Sequence, residues 1–254
     1  MCGIVGYVGP REARALLMNG LEKLEYRGYD SAGISVLRGD RIDAVRAVGN
    51  LNALREALDR SPPADSNGAA GSVAVADSQP ATGIGHTRWA THGRVTEANA
   101  HPHFDTADRV HIVVNGIVEN YVALKDRLIE QGARFTSETD AEVIAHLVAL
   151  HNHGDLVEAV RGAYRELRGH YAFVAMSADE PGLLVGARKE CPLIIGRGDG
   201  EQFIGSAIPA FLRETRNIQY IENDEIVVVR PDGVEFLTAA GDAVDREVVE
   251  IDWD

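Results

Sequence analysis

The sequence predicts an α+β fold in which antiparallel sheets pack face to face under layers of helices. Short β-branched segments separated by glycine stand at both ends of the chain, and helical periodicity is concentrated between them. With 254 residues, 45% of them hydrophobic, the chain is long enough to bury a sizeable core, and no internal repeat divides it. We therefore interpret residues 1–254 as one domain.

The N-terminal part alternates strands with helices. Residues 3–9 (GIVGYVG) are β-branched and punctuated by glycine, so they predict a strand that begins almost at the terminus and anchors it. Leucines at helical spacing predict a helix over 11–25. A glycine-rich turn, YRGYDSAG, then leads into the strands SAGISVLR and RIDAVRAV and a short helix around LNALREALDR.

The middle of the chain begins with a segment of different composition. Residues 61–80 are dominated by Ser, Pro, Ala, Gly and Asp without a sustained period, which predicts a surface loop within the domain. From Thr82 a strand runs into HTRW, followed by a polar loop over 90–108 and the apolar strand VHIVV. The Asn-Gly pair after that strand opens a predicted helix over 115–131.

The remaining helices are followed by a strand-rich end. SETDAEVIAHLVALH predicts a helix in which Thr139 and Glu142 have the spacing of a capping box. A further helix is predicted over about 155–168. Beyond Gly169 the pattern changes to short strands, which include HYAFVAMS, GLLVGAR, EIVVVR and GVEFL.

Composition excludes several classes of protein. The 25 basic and 39 acidic residues give a net charge of −14, which argues against nucleic acid or an anionic membrane as a partner. No stretch reaches the roughly 18 to 20 apolar residues that span a bilayer, and the N-terminus does not have the charge order of a secretory signal. Cys2 and Cys191 are too few for a disulfide framework. We therefore expect a reducing, cytoplasmic location.

A cysteine at position 2 has unusual chemistry. Removal of the initiator methionine would leave a chain that starts with both a thiol and a free α-amine. An α-amine has a pKa of about 8, so a useful fraction is free base near neutrality, and it can activate the thiol without a histidine. The alternative is that Cys2 only tolerates methionine removal and packs as a small apolar residue.

Three further groups have side chains that suit acyl transfer on an amino acid. Asn115-Gly116 can supply an amide and a backbone N–H to an oxyanion, although Asn-Gly is also a common turn. Arg88, with Trp89 alongside, presents a planar fork suited to a carboxylate, or it is a surface arginine at a strand end. Asp140 can pair with an ammonium group, or it stabilises a helix dipole.

Metal, phosphate and nucleotide sites are not predicted. Neither a Cys pair nor an HExxH motif accompanies the histidines, and the glycines near the N-terminus match no phosphate-binding loop. We expect structural or loop roles for Cys191 and for the five histidines that lie within 26 residues, which are His86, His92, His101, His103 and His111.

Six segments in order carry a family resemblance: MCGIVGYVG, LEYRGYDSAG, GIGHTRWATHG, NAHPH, NGIVEN and SETDAEVIAH. Together they resemble the glutaminase domain of the glutamine–fructose-6-phosphate aminotransferases, which are class II amidotransferases. Amidophosphoribosyltransferases, the alternative within the class, are expected to show YRGQ-type and HTRY-type segments instead. The resemblance implies an Ntn-hydrolase fold, a four-layer αββα sandwich with the terminal cysteine on a strand edge in the cleft.

The resemblance also implies catalytic roles. Cys2 would be the nucleophile with its freed amine as base, and Asn115 and the Gly116 N–H would form the oxyanion hole. One departure is Val114, where the family usually has His, and we expect it to affect the oxyanion donor or loop closure. This departure and an unprocessed Met1 keep open a catalytically silent regulatory module.

Substrate-binding roles follow from the same resemblance. Arg88 would bind the carboxylate of glutamine and Asp140 its ammonium group, a pair that argues against an N-terminal-cysteine acylase with an apolar acyl pocket. The resemblance also implies a closing loop and two supporting residues. These are Trp89, Thr91 and His92 in the loop, Arg27 beside the terminus and His101 near the site.

The implied reaction is hydrolysis of L-glutamine to glutamate and ammonia through a Cys2 thioester, without metal or cofactor. In the whole enzyme, expected to be a homo-oligomer, ammonia would pass to fructose 6-phosphate in a separate sugar-isomerase region. The given sequence does not contain that region. Residues 246–254 (REVVEIDWD) resemble the start of a linker to it.

Overall fold

The computed structural model describes residues 2–61 and 79–252. Two antiparallel sheets pack face to face, and helices cover both outer faces. This arrangement confirms the predicted α+β class and the four-layer αββα sandwich. Most of the predicted loop 61–80 lies outside the described residues.

The described residues form five α-helices and two sheets. The helices are α1 (Ala13–Glu22), α2 (Leu51–Arg60), α3 (Tyr121–Glu130), α4 (Glu142–His151) and α5 (Leu156–Glu166). The strands in the first half are β1 (Gly3–Gly9), β2 (Ser31–Arg38), β3 (Arg41–Val48), β4 (Ala81–Arg88), β5 (His103–Phe104) and β6 (Val110–Val118). Those in the second half are β7 (Gly169–Ser177), β8 (Leu184–Lys189), β9 (Ile194–Arg197), β10 (Gln202–Gly205), β11 (Asn217–Tyr220), β12 (Glu225–Arg230), β13 (Gly233–Thr238), β14 (Ala243–Val244) and β15 (Val249–Glu250).

The first sheet is built around the N-terminal strand. Its order is β15-β11-β9-β10-β1-β4-β2-β3, and β1 is buried along its whole length. Pairing of β1 with β4 runs from Gly3 opposite Thr87 to Gly9 opposite Ala81, which confirms that the terminus is anchored. Gly6 is a packing requirement, because a Cβ there would lie 2.5 Å from a methyl group of Ile204.

The second sheet has the order β14-β13-β12-β8-β7-β6-β5. Its strand β6 corrects one prediction, because the Asn-Gly pair lies inside the strand and does not open a helix. Asn115 pairs with Ala172 and Gly116 with Tyr171, and the ladder continues to Val118. Pairing with β7, which is distant in sequence, therefore overrides the local turn preference of the dipeptide.

Three hydrophobic layers hold the sandwich together. The layer between the helices α1 and α2 and the first sheet includes Leu17, Leu21 and Leu54, all fully buried. The layer between the sheets includes Ile4, Ile84, Val113 and Leu184, and the layer between the second sheet and helices α3 to α5 includes Ile112, Val148 and Phe173. Each of the two sheets therefore packs against a hydrophobic layer on both of its faces.

Strand alternation separates Val114 from its neighbours on β6. Val113 packs in the layer between the sheets, whereas Val114 packs in the layer under the helices. Because successive side chains point to opposite faces, Asn115 shares the face of Val113. The Val114 departure therefore lies on the side of the sheet away from the Asn115 side chain.

The start of α4 differs from the predicted capping box. Its N-cap residue is Ala141, and Thr139 does not cap the helix. The Glu142 carboxylate instead accepts hydrogen bonds from the backbone N–H groups of Thr136 at 2.8 Å and Ser137 at 2.7 Å. The segment that precedes α4 therefore binds the carboxylate that would otherwise complete a capping box.

The C-terminal segment adds the last strand of the first sheet. Val249 pairs with Ile218 on β11, and Ile251 is only 8% exposed in the layer under α1 and α2. Part of the predicted linker segment 246–254 is thus attached to the domain, and a linker beyond it stays a prediction. Within residues 2–61 and 79–252, no helix is long and apolar enough to cross a membrane.

The helix layer over the second sheet gives a stability prediction. Phe173 is fully buried in it, whereas Val122 on α3 is 55% exposed. We expect Phe173→Ala to lower the free energy of unfolding by about 3–5 kcal/mol, because the cavity cannot close completely. Val122→Ala should change it by less than about 0.5 kcal/mol in the same denaturant titration. Equal effects would contradict the layer assignment.

Candidate functional site

Cys2 lies at the end of β1 where the two sheets approach each other. It directly precedes β1, and extension of the β1–β4 register places it opposite Arg88. The carbonyl oxygen of Cys2 accepts hydrogen bonds from Asn115 Nδ2 at 3.2 Å and from Arg27 Nη1 at 3.3 Å. The backbone N–H of Trp89 donates to its Sγ at 3.3 Å. The structure thus brings four predicted site residues around Cys2, namely Arg27, Arg88, Trp89 and Asn115.

The surroundings of the thiol favour its neutral form. Burial raises the pKa of Cys2, although the hydrogen bond from the Trp89 backbone and the nearby Arg88 charge oppose that effect. A raised pKa leaves the sulfur as a thiol near neutrality. Chemistry at Cys2 therefore requires a proton acceptor close to the sulfur.

Asn115 and Gly116 form the wall of the cleft that belongs to the second sheet. The Asn115 side chain contacts Cys2 through Nδ2, and its Oδ1 lies 3.0 Å from Nε2 of His86. Gly116 has a φ of +100°, and a Cβ there would lie 2.1 Å from the carbonyl oxygen of His170 and 2.9 Å from Cys191 Sγ. Glycine is therefore needed at this position for both conformation and space.

Arg88 is buried, so the alternative of a surface arginine is wrong. Only 4% of its surface is exposed. Its guanidinium donates to the carbonyl oxygens of His92 and Arg94, the latter at 3.2 Å. The side chain thus holds the loop that follows β4 and places a positive charge next to Cys2.

The loop after β4 is exposed and begins next to the sulfur of Cys2. Trp89 is 54% exposed, and Thr91 and His92 are exposed as well. The loop is fixed at its base by a 2.6 Å hydrogen bond from the Ala90 N–H to Asp30 Oδ2. The His92 ring meets the edge of the Tyr121 ring at a centroid distance of 5.5 Å. An exposed loop with anchored ends suits movement over a ligand.

Asp140 lies further along β6 from Asn115. Its Oδ2 accepts a 2.7 Å hydrogen bond from the backbone N–H of Val118, and the residue is 7% exposed. Asp140 lies two residues before α4, and its carboxylate binds the backbone of β6 and not the first turn of the helix. Val118 is three residues from Asn115, about 10 Å along the strand.

The two supporting residues have different positions. Arg27 donates from Nη1 to the Cys2 carbonyl and to Ser206 Oγ, each at 3.3 Å, and so holds the start of β1. The His101 ring packs between those of His86 and His103, with centroid distances of 4.1 and 4.4 Å. No group of His, Cys, Asp and Glu residues in the described part of the chain is arranged to hold a metal ion.

Sequence reasoning missed three contacts of the site. Asp30 lies within the quoted YRGYDSAG segment, which was the signal available for it. Ser206 accepts a 3.0 Å hydrogen bond from the Ile4 N–H, but it belongs to a region with no marked motif. Cys191, for which only a structural role was expected, lies beside Gly116. Only the fold brings Ser206 and Cys191 to the cleft.

Comparison with known proteins identifies the family. The model of a glutamine amidotransferase domain family matches residues 86–213, which is half of the chain and includes the end of β4, the loop that follows it and β6. The chain belongs to this family. Its predicted class II resemblance is confirmed.

Relatives of the amidotransferase domain place it within the class. It is 45% identical to a glutamine–fructose-6-phosphate aminotransferase of Caldanaerobacter subterraneus and 46% identical to one of Thermus thermophilus, with 100% of this chain covered. The chain spans 39% of the length of each of these relatives. The aminotransferase resemblance is thus confirmed over the length of the domain.

Solved structures confirm the Ntn-type sandwich. The glutamine phosphoribosylpyrophosphate amidotransferase of B. subtilis, complexed with ADP and GMP, matches with a TM-score of 0.73 and 25% identity over 94% of this chain and 49% of that one. A class-II glutamine aminotransferase domain protein from Silicibacter pomeroyi shares the fold, with a TM-score of 0.51 and 14% identity over 99% of this chain and 100% of that one. The sequence identity to the fructose-6-phosphate enzymes is higher than that to either structure.

The close contacts of Gly116 give a second prediction. Gly132 provides a matched control, because its φ is +96° but a Cβ there would meet nothing within 4 Å. Gly132→Ala should cost only the backbone penalty of about 1–2 kcal/mol. Gly116→Ala should cost about 1–3 kcal/mol more in denaturant unfolding, because the added methyl group collides with β7. Equal losses would contradict the close approach.

Proposed function

We propose that this domain hydrolyses L-glutamine to glutamate and ammonia, with Cys2 as nucleophile after removal of Met1. One observation carries the proposal: the partly buried Cys2 lies between the buried Arg88, opposite it on β4, and the Asn115 amide, which donates to the Cys2 carbonyl oxygen. This combination supplies a nucleophile, an oxyanion donor and a carboxylate partner in one place.

The α-amine of processed Cys2 is the proposed base. The raised pKa of the thiol requires a proton acceptor, and an α-amine with a pKa of about 8 suits this task near neutral pH. Thiolate attack on the side-chain carboxamide gives a tetrahedral intermediate. Asn115 Nδ2 and the Gly116 N–H stabilise its oxyanion, ammonia leaves with a proton from the ammonium group, and water hydrolyses the resulting thioester.

Substrate selection follows from the two buried charges. In the proposal Arg88 exchanges part of its bonding to loop carbonyls for the substrate carboxylate, and Asp140 binds the ammonium group. Trp89, Thr91 and His92 close over the bound glutamine. A zwitterionic amino acid fits this pair of charges better than the apolar acyl group of an acylase does.

The proposal for the whole protein extends that of its relatives. Glutamine–fructose-6-phosphate aminotransferases are similar to this chain over its full length. We infer that the ammonia is used for synthesis of glucosamine 6-phosphate from fructose 6-phosphate, in a homo-oligomer in the cytoplasm. A reducing compartment suits this chemistry, because both cysteines are free.

The principal test is the loss of activity on replacing Cys2. Cys2→Ser should abolish release of glutamate and of an equal amount of ammonia, because a hydroxyl in this site is a much weaker nucleophile. Cys191→Ser is the matched control and should retain activity within about threefold. Intact mass must show removal of Met1 in each sample. Full activity of Cys2→Ser, or loss only in Cys191→Ser, would refute the proposal.

A second kinetic test separates binding from transition-state stabilisation. Asn115→Ala should lower kcat by about 100-fold or more with little change in KM. Asp140→Asn keeps an acceptor for the Val118 N–H but removes the charge, so KM should rise by about 30-fold or more at similar kcat. Both parameters are measured from steady-state rates of glutamate release over a range of glutamine concentrations. A pure KM effect for Asn115→Ala would contradict this division of roles.

A further inference from the structure

We propose that His86 is a positioning residue that fixes the orientation of the Asn115 amide, and so keeps its N–H donor directed at the reacting carbonyl. The inference rests on the proposed glutaminase function. It concerns a residue to which the sequence pattern assigned only a structural or loop role.

The contact connects the two sheets. His86 lies on β4 of the first sheet and Asn115 on β6 of the second, and both side chains face the layer between the sheets. The distance from His86 Nε2 to Asn115 Oδ1 is 3.0 Å. His86 is completely buried and Asn115 is 9% exposed. Water therefore has little access to replace this bond.

The direction of the bond follows from the other partner of the amide. A carbonyl oxygen can only accept, so the 3.2 Å contact with the Cys2 carbonyl requires Asn115 Nδ2 on that side. Oδ1 then faces His86 and needs a donor, which places the proton of the imidazole on Nε2. With the opposite tautomer, the amide would rotate and direct Oδ1 toward the cleft, where it would repel an oxyanion.

The electrostatic environment keeps the imidazole neutral. Burial lowers the pKa of His86 to about 4, and the nearby Arg88 charge acts in the same direction. The ring therefore carries a single proton at neutral pH, and Asn115 Oδ1 selects its position. An uncharged donor orients the amide without adding a positive charge to the layer between the sheets.

Packing fixes the plane of the His86 ring. The ring of His101 lies 4.1 Å from it and that of His103 lies 4.4 Å beyond, measured between centroids. His103 Nε2 is 3.0 Å from Thr139 Oγ1. This column extends from Asn115 to Thr139, so each of the three rings is held on both sides.

The residue before Asn115 does not serve the same purpose. Val114 is apolar and packs under the helices, on the opposite face of β6 from the Asn115 side chain. Asn115 Oδ1 instead contacts Nε2 of His86 on the facing sheet. Orientation of the amide in this chain therefore depends on the neighbouring sheet and not on the side chain of Val114, whose backbone forms a further hydrogen bond with His86.

A double-mutant cycle tests the proposal with glutamine as substrate. His86→Leu should lower kcat by about 10- to 100-fold with KM changed less than threefold, because a misoriented amide fails mainly in the transition state. In the Asn115→Ala background the same substitution should change kcat by less than about twofold, because the group that His86 positions is already absent.

Conservative variants separate positioning from a merely structural role. His86→Gln can place an amide N–H near the position of Nε2 and should keep kcat within about threefold. His86→Asn is equally polar but too short to reach Asn115 Oδ1, and it should behave like His86→Leu. If His86→Leu does not fold, the Gln and Asn variants carry the test. Alkylation of Cys2 by iodoacetamide should proceed at the wild-type rate in each folded variant.

Three results would overturn the role of His86. These are an equal kcat loss in the wild-type and Asn115→Ala backgrounds, a change confined to KM, and a His86→Gln variant as impaired as His86→Asn. A wild-type domain that releases no glutamate would refute the proposed function itself, and this role with it. If the wild-type domain is active, the double-mutant cycle tests the role of His86 independently of the proposed function.

Discussion

The antiparallel pairing of β1 with β4 determines where Cys2 and Arg88 lie, and the rest of the site is arranged around them. The ladder from Gly3 opposite Thr87 to Gly9 opposite Ala81 is buried on both faces, and glycines on both strands leave room for side chains that pack across it, those of β4 for leucines of helix α1. A shift of one residue would turn each side chain to the other face. Cys2 and Arg88 extend this ladder by one position, so the packing of an apolar core holds a reactive terminus in place.

The end of the layer between the sheets combines two opposing physical demands. Further inside, Ile4, Ile84 and Val113 exclude water and stabilise the sandwich. At its end the same exclusion disfavours the thiolate of Cys2 and the charged form of His86. The Asn115 amide is stable there because it has fixed partners in Cys2 and His86, and fixed partners also mean little reorganisation when charge develops. The exclusion of water that stabilises the sandwich therefore also keeps Cys2 and His86 in their neutral forms.

Local sequence patterns predicted most elements, whereas the residues around the thiol were predicted mainly through the family resemblance, because each motif alone left a structural alternative open. Strand β1 and helix α5 follow from β-branched residues, apolar spacing and the Asp155 N-cap, all of which act over a few residues. Asn115-Gly116 was misassigned to a helix start, because its pairing with β7 joins segments more than 50 residues apart. The Ser206 contact with Ile4 spans 202 positions, and no local pattern encodes such a distance.

The hydrogen bond from the Trp89 N–H to Cys2 Sγ joins the loop after β4 to the sulfur directly. A hydrogen bond to sulfur stabilises the thiolate, so the nucleophilicity of Cys2 varies with the position of the peptide that precedes Ala90. Outward displacement of that peptide would remove this hydrogen bond and so raise the pKa of the Cys2 thiol further. The position of the loop therefore sets how readily the sulfur reacts with electrophiles other than the substrate.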